Sequence, residues 1–179
     1  LENPLVYDIG WAIVDKYGKV YRQRSFINRE IFFLENELMK SSYYAEKLPI
    51  YYKRIAKGET TVANWQTIKK ILWQDMAEFE TSIVSAHNAR FDYSATATTQ
   101  RWLTKSAYRY FFPYGTEIWD TLKMARDVIG KMPTYRKWCE ANGYICRNGQ
   151  LKMTAEVLYR FISGQEEFDE EHTGLADVL

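Results

Sequence analysis

Cysteine is scarce in this sequence, and long apolar runs are missing from it. The two cysteines, Cys139 and Cys146, are too few for a disulfide scaffold or a structural zinc site. No segment has the ~18 to 20 uninterrupted apolar residues that a membrane-spanning helix needs, and no basic segment followed by an apolar stretch opens the chain. These absences favour a protein of a reducing, cytoplasmic compartment with no membrane partner.

The residues that are present suffice for a folded domain. Of 179 residues, 46% are hydrophobic and 16% are aromatic, which excludes a wholly disordered chain and, without a visible linker, predicts one domain over residues 1–179. The net charge is only +1, but residues 101–152 contain ten Lys or Arg against four Asp or Glu, and residues 166–171 contain five acids. This distribution suits a site that binds phosphate around metal ions, and it also suits two ordinary solvated surfaces.

Hydrophobic periodicity predicts a mixed α/β chain. A hairpin of two strands is expected first, at residues 6–14 and 20–27, with its turn at Gly18. Short strands are predicted at 82–87 and 117–120. Helices are predicted at 31–47, 62–79, 92–104, 121–128, 133–142 and 154–162, with a last one beginning near Thr173. Such an order favours a sheet covered by helices.

A first group of polar residues follows the predicted strand at 82–87. Residues 86–92 have the sequence AHNARFD, so that Asp92 opens the next predicted helix. An aspartate just beyond the carboxyl end of a strand lies where α/β sheets generally bind ligands. The same spacing is also typical of a helix N-cap at Asp92, with Asn88 satisfying backbone groups of the loop.

A second group consists of His172 and Asp177, which follow the acidic residues 166–171. Five positions turn roughly 140° around a helix, so the two side chains cannot share one helical face. For them to cooperate, His172 must precede the helix and Asp177 must project from its first or second turn. A histidine beside acidic residues titrates near neutrality, which suits a general base. The alternative is an exposed histidine next to a helix start.

Taken together and in this order, the two groups resemble the motifs of the DEDDh 3′→5′ exonucleases of the ribonuclease H-like superfold, which include polymerase III proofreading subunits, ribonuclease T and oligoribonuclease. Residues 88–92 (NARFD) are similar to the family's second motif, and residues 172–177 (HTGLAD) match its third. Residues 9–11 (IGW) and 119–122 (WDTL) are similar to further family segments. The resemblance implies a mixed sheet flanked by helices, Asp92 and Asp177 as metal ligands, and His172 as general base.

The family's first motif, Asp-x-Glu on its first strand, has no match in residues 1–5. Asp8 directly precedes Ile9 and Gly10, where the family has a non-catalytic and often acidic residue, so Asp8 receives no metal role. We expect the missing strand to precede Leu1 and the domain to be truncated at both ends, and the fragment itself to be impaired. The alternative is a catalytically dead nucleic-acid-binding or polymerase-tethering module with the same fold.

The resemblance implies hydrolysis of single-stranded DNA or RNA from the 3′ end, with nucleoside monophosphate as product and a polymerase as a candidate partner. A pair of Mg²⁺ or Mn²⁺ ions is expected, because hard cations prefer carboxylate oxygens. Asn88 and Phe91 are expected to meet the terminal nucleotide, although Phe91 could instead fill the core. An aromatic and basic stretch could contact single strands or pack on the sheet; it comprises Tyr43, Tyr44, Lys47, Tyr51, Tyr52, Lys53, Arg54 and Lys57.

Overall fold

A computed structural model describes residues 4–40, 45–168 and 174–175, and it confirms a mixed α/β chain. The strands are β1 (Asp8–Val14), β2 (Val20–Asn28), β3 (Thr61–Ala63), β4 (Ile83–Ala86) and β5 (Glu117–Asp120). The α-helices are α1 (Arg29–Leu34), α2 (Asn36–Lys40), α3 (Leu48–Ala56), α4 (Trp65–Glu78), α5 (Ala89–Thr104), α6 (Thr121–Asp127), α7 (Pro133–Asn142) and α8 (Ala155–Ser163), with short 3-10 helices at Ala45–Lys47 and Ile129–Lys131.

The described residues form two compact units. The first contains residues 4–82 without 41–44, together with 93–116 and 174–175, and the second contains residues 83–92 and 117–168. The prediction of one domain over residues 1–179 stays a prediction. No helix among the described residues has the length and apolar character needed to cross a membrane.

The sheet of the first unit has the strand order β1-β2-β3. β1 and β2 pair antiparallel as the predicted hairpin, with Asp8 opposite Ile27, and Gly18 in the turn adopts a φ of 81° that favours glycine. β2 then pairs in parallel with β3 through Ile27 and Val62. Among the described residues, β1 and β3 are therefore the two edges of this sheet.

Apolar side chains on β2, α1 and α3 form the core next to this sheet. Ile27, Ile31 and Phe32 are buried, and Tyr51 of α3 packs edge-on against Phe32. The fully buried Asn28 ends β2 and caps α1, because its side-chain oxygen accepts the Glu30 N–H at 3.2 Å while its amide donates to a backbone carbonyl.

A buried carboxylate joins β1 and β2 to helix α4. Asp75 of α4 accepts a hydrogen bond at 3.0 Å from the indole N–H of Trp11. Its two oxygens also accept from Arg22 at 2.8 Å and from Arg24 at 3.0 and 3.1 Å, and Arg22 reaches the exposed Glu78 as well. Burial raises the pKa of Asp75, but these hydrogen bonds outweigh it and hold the pKa below its usual value.

The second unit is built on the parallel pair β4 and β5, in which Ile83 lies opposite Glu117. Its core consists of Ala125, Tyr135, Cys139 and Leu158 from helices α6, α7 and α8. Thr154 caps α8 as the sequence predicts, since its hydroxyl accepts the Val157 N–H. Gly143 ends α7 in the left-handed conformation with a φ of 75°.

Two predictions about the first unit are wrong. The single helix predicted at 31–47 is replaced by α1, α2 and a 3-10 helix, because α1 already begins after the Asn28 cap and ends at Leu34. The predicted helix 62–79 also begins later, at Trp65, because residues 61–63 form the short strand β3.

Candidate functional site

The first group of candidate residues lies at one edge of the parallel pair in the second unit. β4 ends at Ala86 and β5 ends at Asp120, so the loops that follow them leave the pair at its carboxyl edge. His87 and Asn88 follow β4 directly, and Asp92 lies in the first turn of α5. This is the position that the sequence predicts for these residues, and it is where parallel strands usually offer a ligand site.

Hydrogen bonds fix the loop between β4 and α5. Asn88 has a φ of 66°, an αL conformation that asparagine tolerates better than most residues, and its N–H donates to Asp120 Oδ1 at 3.2 Å. The same oxygen accepts the Leu122 N–H at 3.0 Å and so caps α6. Asp120 therefore positions the loop. The sequence analysis did not predict this role, although an aspartate directly before the predicted helix 121–128 is a recognisable N-cap signal.

His87 is engaged through both nitrogens of its ring. Nε2 lies 2.9 Å from the carbonyl oxygen of Met153, and Nδ1 lies 3.2 Å from the hydroxyl of Thr121. A carbonyl oxygen can only accept, so Nε2 carries the proton in the contact with Met153. With both nitrogens occupied, His87 acts as a positioning residue for this loop.

Asp92 and Phe91 are both exposed at the beginning of α5. Phe91 keeps 45% of its surface accessible, so the alternative that it fills the core is wrong. Asp92 lies near the amino end of a 16-residue helix, where the helix dipole favours a negative charge. Because α5 begins at Ala89, Asp92 lies inside the helix and is not its N-cap, so the predicted helix start at residue 92 and the N-cap alternative are wrong. The role of Asp92 as a metal ligand stays a prediction.

The second group is only partly described. His172 and Asp177 lie outside the described residues, whereas Gly174 and Leu175 between them are described and belong to the first unit. The Gly174 N–H donates to Asp8 Oδ2 at 2.7 Å, across 166 positions of sequence. Asp8, to which the sequence assigns no metal role, thus holds this segment in place.

Two glycines make this contact possible. A Cβ on Gly10 would lie 2.5 Å from the Leu175 nitrogen and 2.6 Å from the Gly174 carbonyl oxygen. A Cβ on Gly174 would lie 2.9 Å from both Asp8 Oδ1 and the Gly10 nitrogen. All four distances are shorter than a normal van der Waals contact, and the obstructing atoms include backbone atoms that cannot move aside. Gly174 and Leu175 therefore lie backbone to backbone against β1.

The aromatic and basic stretch divides between two roles. Tyr51 is 3% exposed and packs edge-on against Tyr7 at 5.7 Å, and burial together with the nearby Asp8 carboxylate raises the pKa of its hydroxyl. The packing interpretation therefore fits Tyr51. Tyr52 keeps half of its surface accessible and contacts Phe32. Tyr43 and Tyr44 lie outside the described residues.

Asp92 is the only predicted metal ligand within the described ranges. In residues 4–40, 45–168 and 174–175, no three His, Cys, Asp or Glu side chains are grouped so that they could hold a metal ion. A single exposed carboxylate has the oxygen donors that Mg²⁺ or Mn²⁺ prefer but is too few ligands for a tight site. The described residues thus include one suitable oxygen ligand for such an ion, but too few ligands to bind it tightly.

Comparisons with known proteins supply no relative for this chain. No protein-family model, no curated protein and no solved structure matches it. A functional assignment therefore depends on the residues themselves and on the contacts described above.

Proposed function

We propose that the protein is a metal-dependent 3′→5′ exonuclease of the DEDDh type, with a ribonuclease H-like fold. Its substrate is single-stranded DNA or RNA, and its product is a nucleoside monophosphate. Asp92 and Asp177 are the proposed ligands of Mg²⁺ or Mn²⁺, and His172 is the proposed general base. Asn88 and Phe91 are the proposed contacts to the terminal nucleotide.

The main support is the contact between Gly174 and β1. In the family that the sequence resembles, the Asp-x-Glu motif lies on the strand just upstream of the strand that contains Ile-Gly. In this chain the corresponding residues are Ile9 and Gly10, and the Gly174 N–H is hydrogen bonded next to them at Asp8. An arrangement of this kind is what a site needs if the third motif is to act beside the first. A hydrogen bond between residues 166 positions apart is not expected of two unrelated surface segments.

The sheet edges add a second line of support. Among the described residues, β1 pairs with β2 alone, and β4 pairs with β5 alone. An unpaired edge leaves backbone N–H and C=O groups available, and consecutive strands usually neighbour each other in a sheet. In this proposal, the strand that carries the family's Asp-x-Glu pair would lie along the edge of β1 that β2 does not occupy.

The chain's own residues have distinct tasks in this proposal. Bound divalent ions would supply charge neutralisation at the phosphate, which is the chemistry for which carboxylate ligands are suited. His172 would take a proton from the attacking water. The exposed ring of Phe91 would stack on the terminal base, and the αL turn at Asn88 would hold the loop in one conformation for that contact.

The test is digestion of 5′-labelled single-stranded DNA and RNA, with Mg²⁺ or with EDTA. It uses the 179-residue chain and a longer chain to which a strand with the Asp-x-Glu motif is added before Leu1. We expect a ladder that shortens from the 3′ end with the longer chain and little activity with the shorter one. His172→Ala should lower the rate of the longer chain by about 10²–10⁴, the usual contribution of a positioned general base.

Asp92→Asn should abolish the Mg²⁺-dependent ladder, since it replaces a charged ligand by a neutral amide of the same shape. Asp127→Asn is the matched control, because Asp127 is an exposed helical aspartate of the same unit whose carboxylate pairs with Lys131 at 3.3 Å. Equal activity of Asp92→Asn and the unsubstituted chain would contradict the proposal. Binding of single strands without any hydrolysis by the longer chain would favour the catalytically dead module instead.

A further inference from the structure

A second surface of the first unit combines exposed aromatic rings with lysines. We call it the aromatic–basic patch and define it by Lys69, Lys70 and Trp73 of α4 and by Tyr108 and Tyr110 of the segment after α5. Lys69, Lys70 and Trp73 line a shallow groove along α4, bordered by Gln66, Gln74 and Ala77. The three rings are 37%, 60% and 58% exposed for Trp73, Tyr108 and Tyr110.

The patch is held together by contacts between α4 and the segment after α5. The Lys69 ammonium donates to the Tyr110 carbonyl at 2.6 Å and lies 5.0 Å from the Trp73 ring and 5.9 Å from the Tyr108 ring. The Trp73 indole N–H donates to the Phe111 carbonyl at 2.7 Å. Tyr108 and Tyr110 meet edge to face at 5.4 Å. These contacts order the rings in advance, so a ligand would not bear that entropic cost.

The charge of this region has one sign. Residues 93–116 contain three Lys or Arg and seven aromatic residues but no Asp or Glu. The groove on α4 adds two lysines and is lined by no acidic side chain. Glu80 lies next to the patch, in an adjoining groove that also contains Trp73, but it does not line the groove of the lysines. The positive charge of the lysines attracts a polyanion.

We propose that the aromatic–basic patch binds single-stranded nucleic acid, by stacking bases on Tyr108 and Tyr110 and contacting phosphates through Lys70 and Lys69. Exposed rings next to cations are the typical combination in proteins that bind single strands without sequence preference. In a duplex the faces of the bases are stacked and inaccessible, and an acidic peptide has charge but no bases to stack. Neither ligand would therefore use both the exposed rings and the lysines of the patch. The inference does not depend on hydrolysis and applies even if the exonuclease assignment fails.

The test is fluorescence anisotropy of a labelled 15-mer of deoxythymidine, in EDTA so that metal-dependent cleavage plays no part. Tyr108→Ala should weaken binding by about tenfold, the usual effect of losing one stacked ring. Tyr108→Phe keeps the ring and should keep the affinity. Lys70→Gln should reduce the slope of log affinity against log salt by about 0.7, the value for one phosphate contact on a single strand.

Tyr17→Ala is the matched control, because Tyr17 is an 83% exposed tyrosine with a lysine ammonium, that of Lys16, 5.0 Å from its ring. It should leave the affinity unchanged, and unfolding midpoints should show that every variant is folded. Equal effects of Tyr108→Ala and Tyr17→Ala would overturn the inference. So would full competition by poly-glutamate at equal charge, which would identify an acidic protein as the occupant, or the absence of any oligonucleotide binding at low salt.

Discussion

The buried carboxylate of Asp75 allows a sharp test of what holds α4 against the β1–β2 hairpin. Asp75→Asn keeps the shape of the side chain but replaces one acceptor oxygen by a donor amide. Because the oxygens of Asp75 accept from Trp11, Arg22 and Arg24, at least one of these donors must then lose its partner. Breaking a buried ion pair from one side costs about 3–5 kcal/mol.

Here the two arginines retain some contact with water, since 26% and 39% of the side chains of Arg22 and Arg24 are accessible. We therefore expect Asp75→Asn to lower the free energy of unfolding by about 2–4 kcal/mol, which is somewhat less than for a fully buried pair. Urea unfolding followed by circular dichroism should show a midpoint lower by about 1–2 M, given an m-value of about 2 kcal/mol per molar. Glu78→Gln is the control, and its effect should be small because Glu78 is 57% exposed.

The difference between the unsubstituted chain and Asp75→Asn should also depend on pH. The pKa of Asp75 is lower in the folded chain than its ordinary value of 3.8, so the stabilisation is complete above that value. It is lost as the pH falls further, through the folded pKa, because protonation then removes the charge. The gap between the two midpoints should be constant from about pH 5 to about pH 7 and should shrink below about pH 3.8. An Asp75→Asn chain as stable as Glu78→Gln, or a gap independent of pH, would refute this account.

Two further predictions concern the glycine contact and the cysteines. Gly10→Ala places a Cβ 2.5 Å from the Leu175 nitrogen. Limited proteolysis with mass spectrometry should therefore show faster cleavage near residue 175. Gly130→Ala is the control and should not change this cleavage, because its Cβ approaches the flexible end of Met153. Native protein should react rapidly with a thiol reagent at the exposed Cys146 alone, because Cys139 is fully buried and burial raises the pKa of its thiol. Two thiols reacting at similar rates in the native state would contradict the buried position.

Much of the fold follows from local sequence signals. The β1–β2 hairpin, the helix α7 and the cap at Thr154 are each predicted from residues within a few positions of one another. The strand β3 is not, because three residues are too short for periodicity to be recognised, and pairing with β2 stabilises them. The split of the predicted helix 31–47 occurs at Glu35, where the backbone leaves the helical conformation with a φ of −105° and a ψ of 54°.

The candidate site divides in the same way. Residues 88–92 lie at the carboxyl end of β4 as predicted, since a short apolar strand followed by polar residues is a local pattern. The close approach of Gly10 and Gly174 could not be predicted, because nothing in either neighbourhood signals a partner so distant in sequence. The sequence contains one signal of the aromatic–basic patch, which is the absence of acids from residues 93–116. This signal can be interpreted only when the packing of that segment against α4 is known.

The hydrogen bond from Gly174 to Asp8 has a consequence for the order in which the protein matures. It closes a loop of 166 positions, so a nascent chain cannot form it until residue 174 has left the ribosome. The hairpin that receives it can fold much earlier, since its own contacts are local. Any reactivity that requires residues 172–177 beside β1 is therefore withheld during synthesis and begins only when translation of that region is finished.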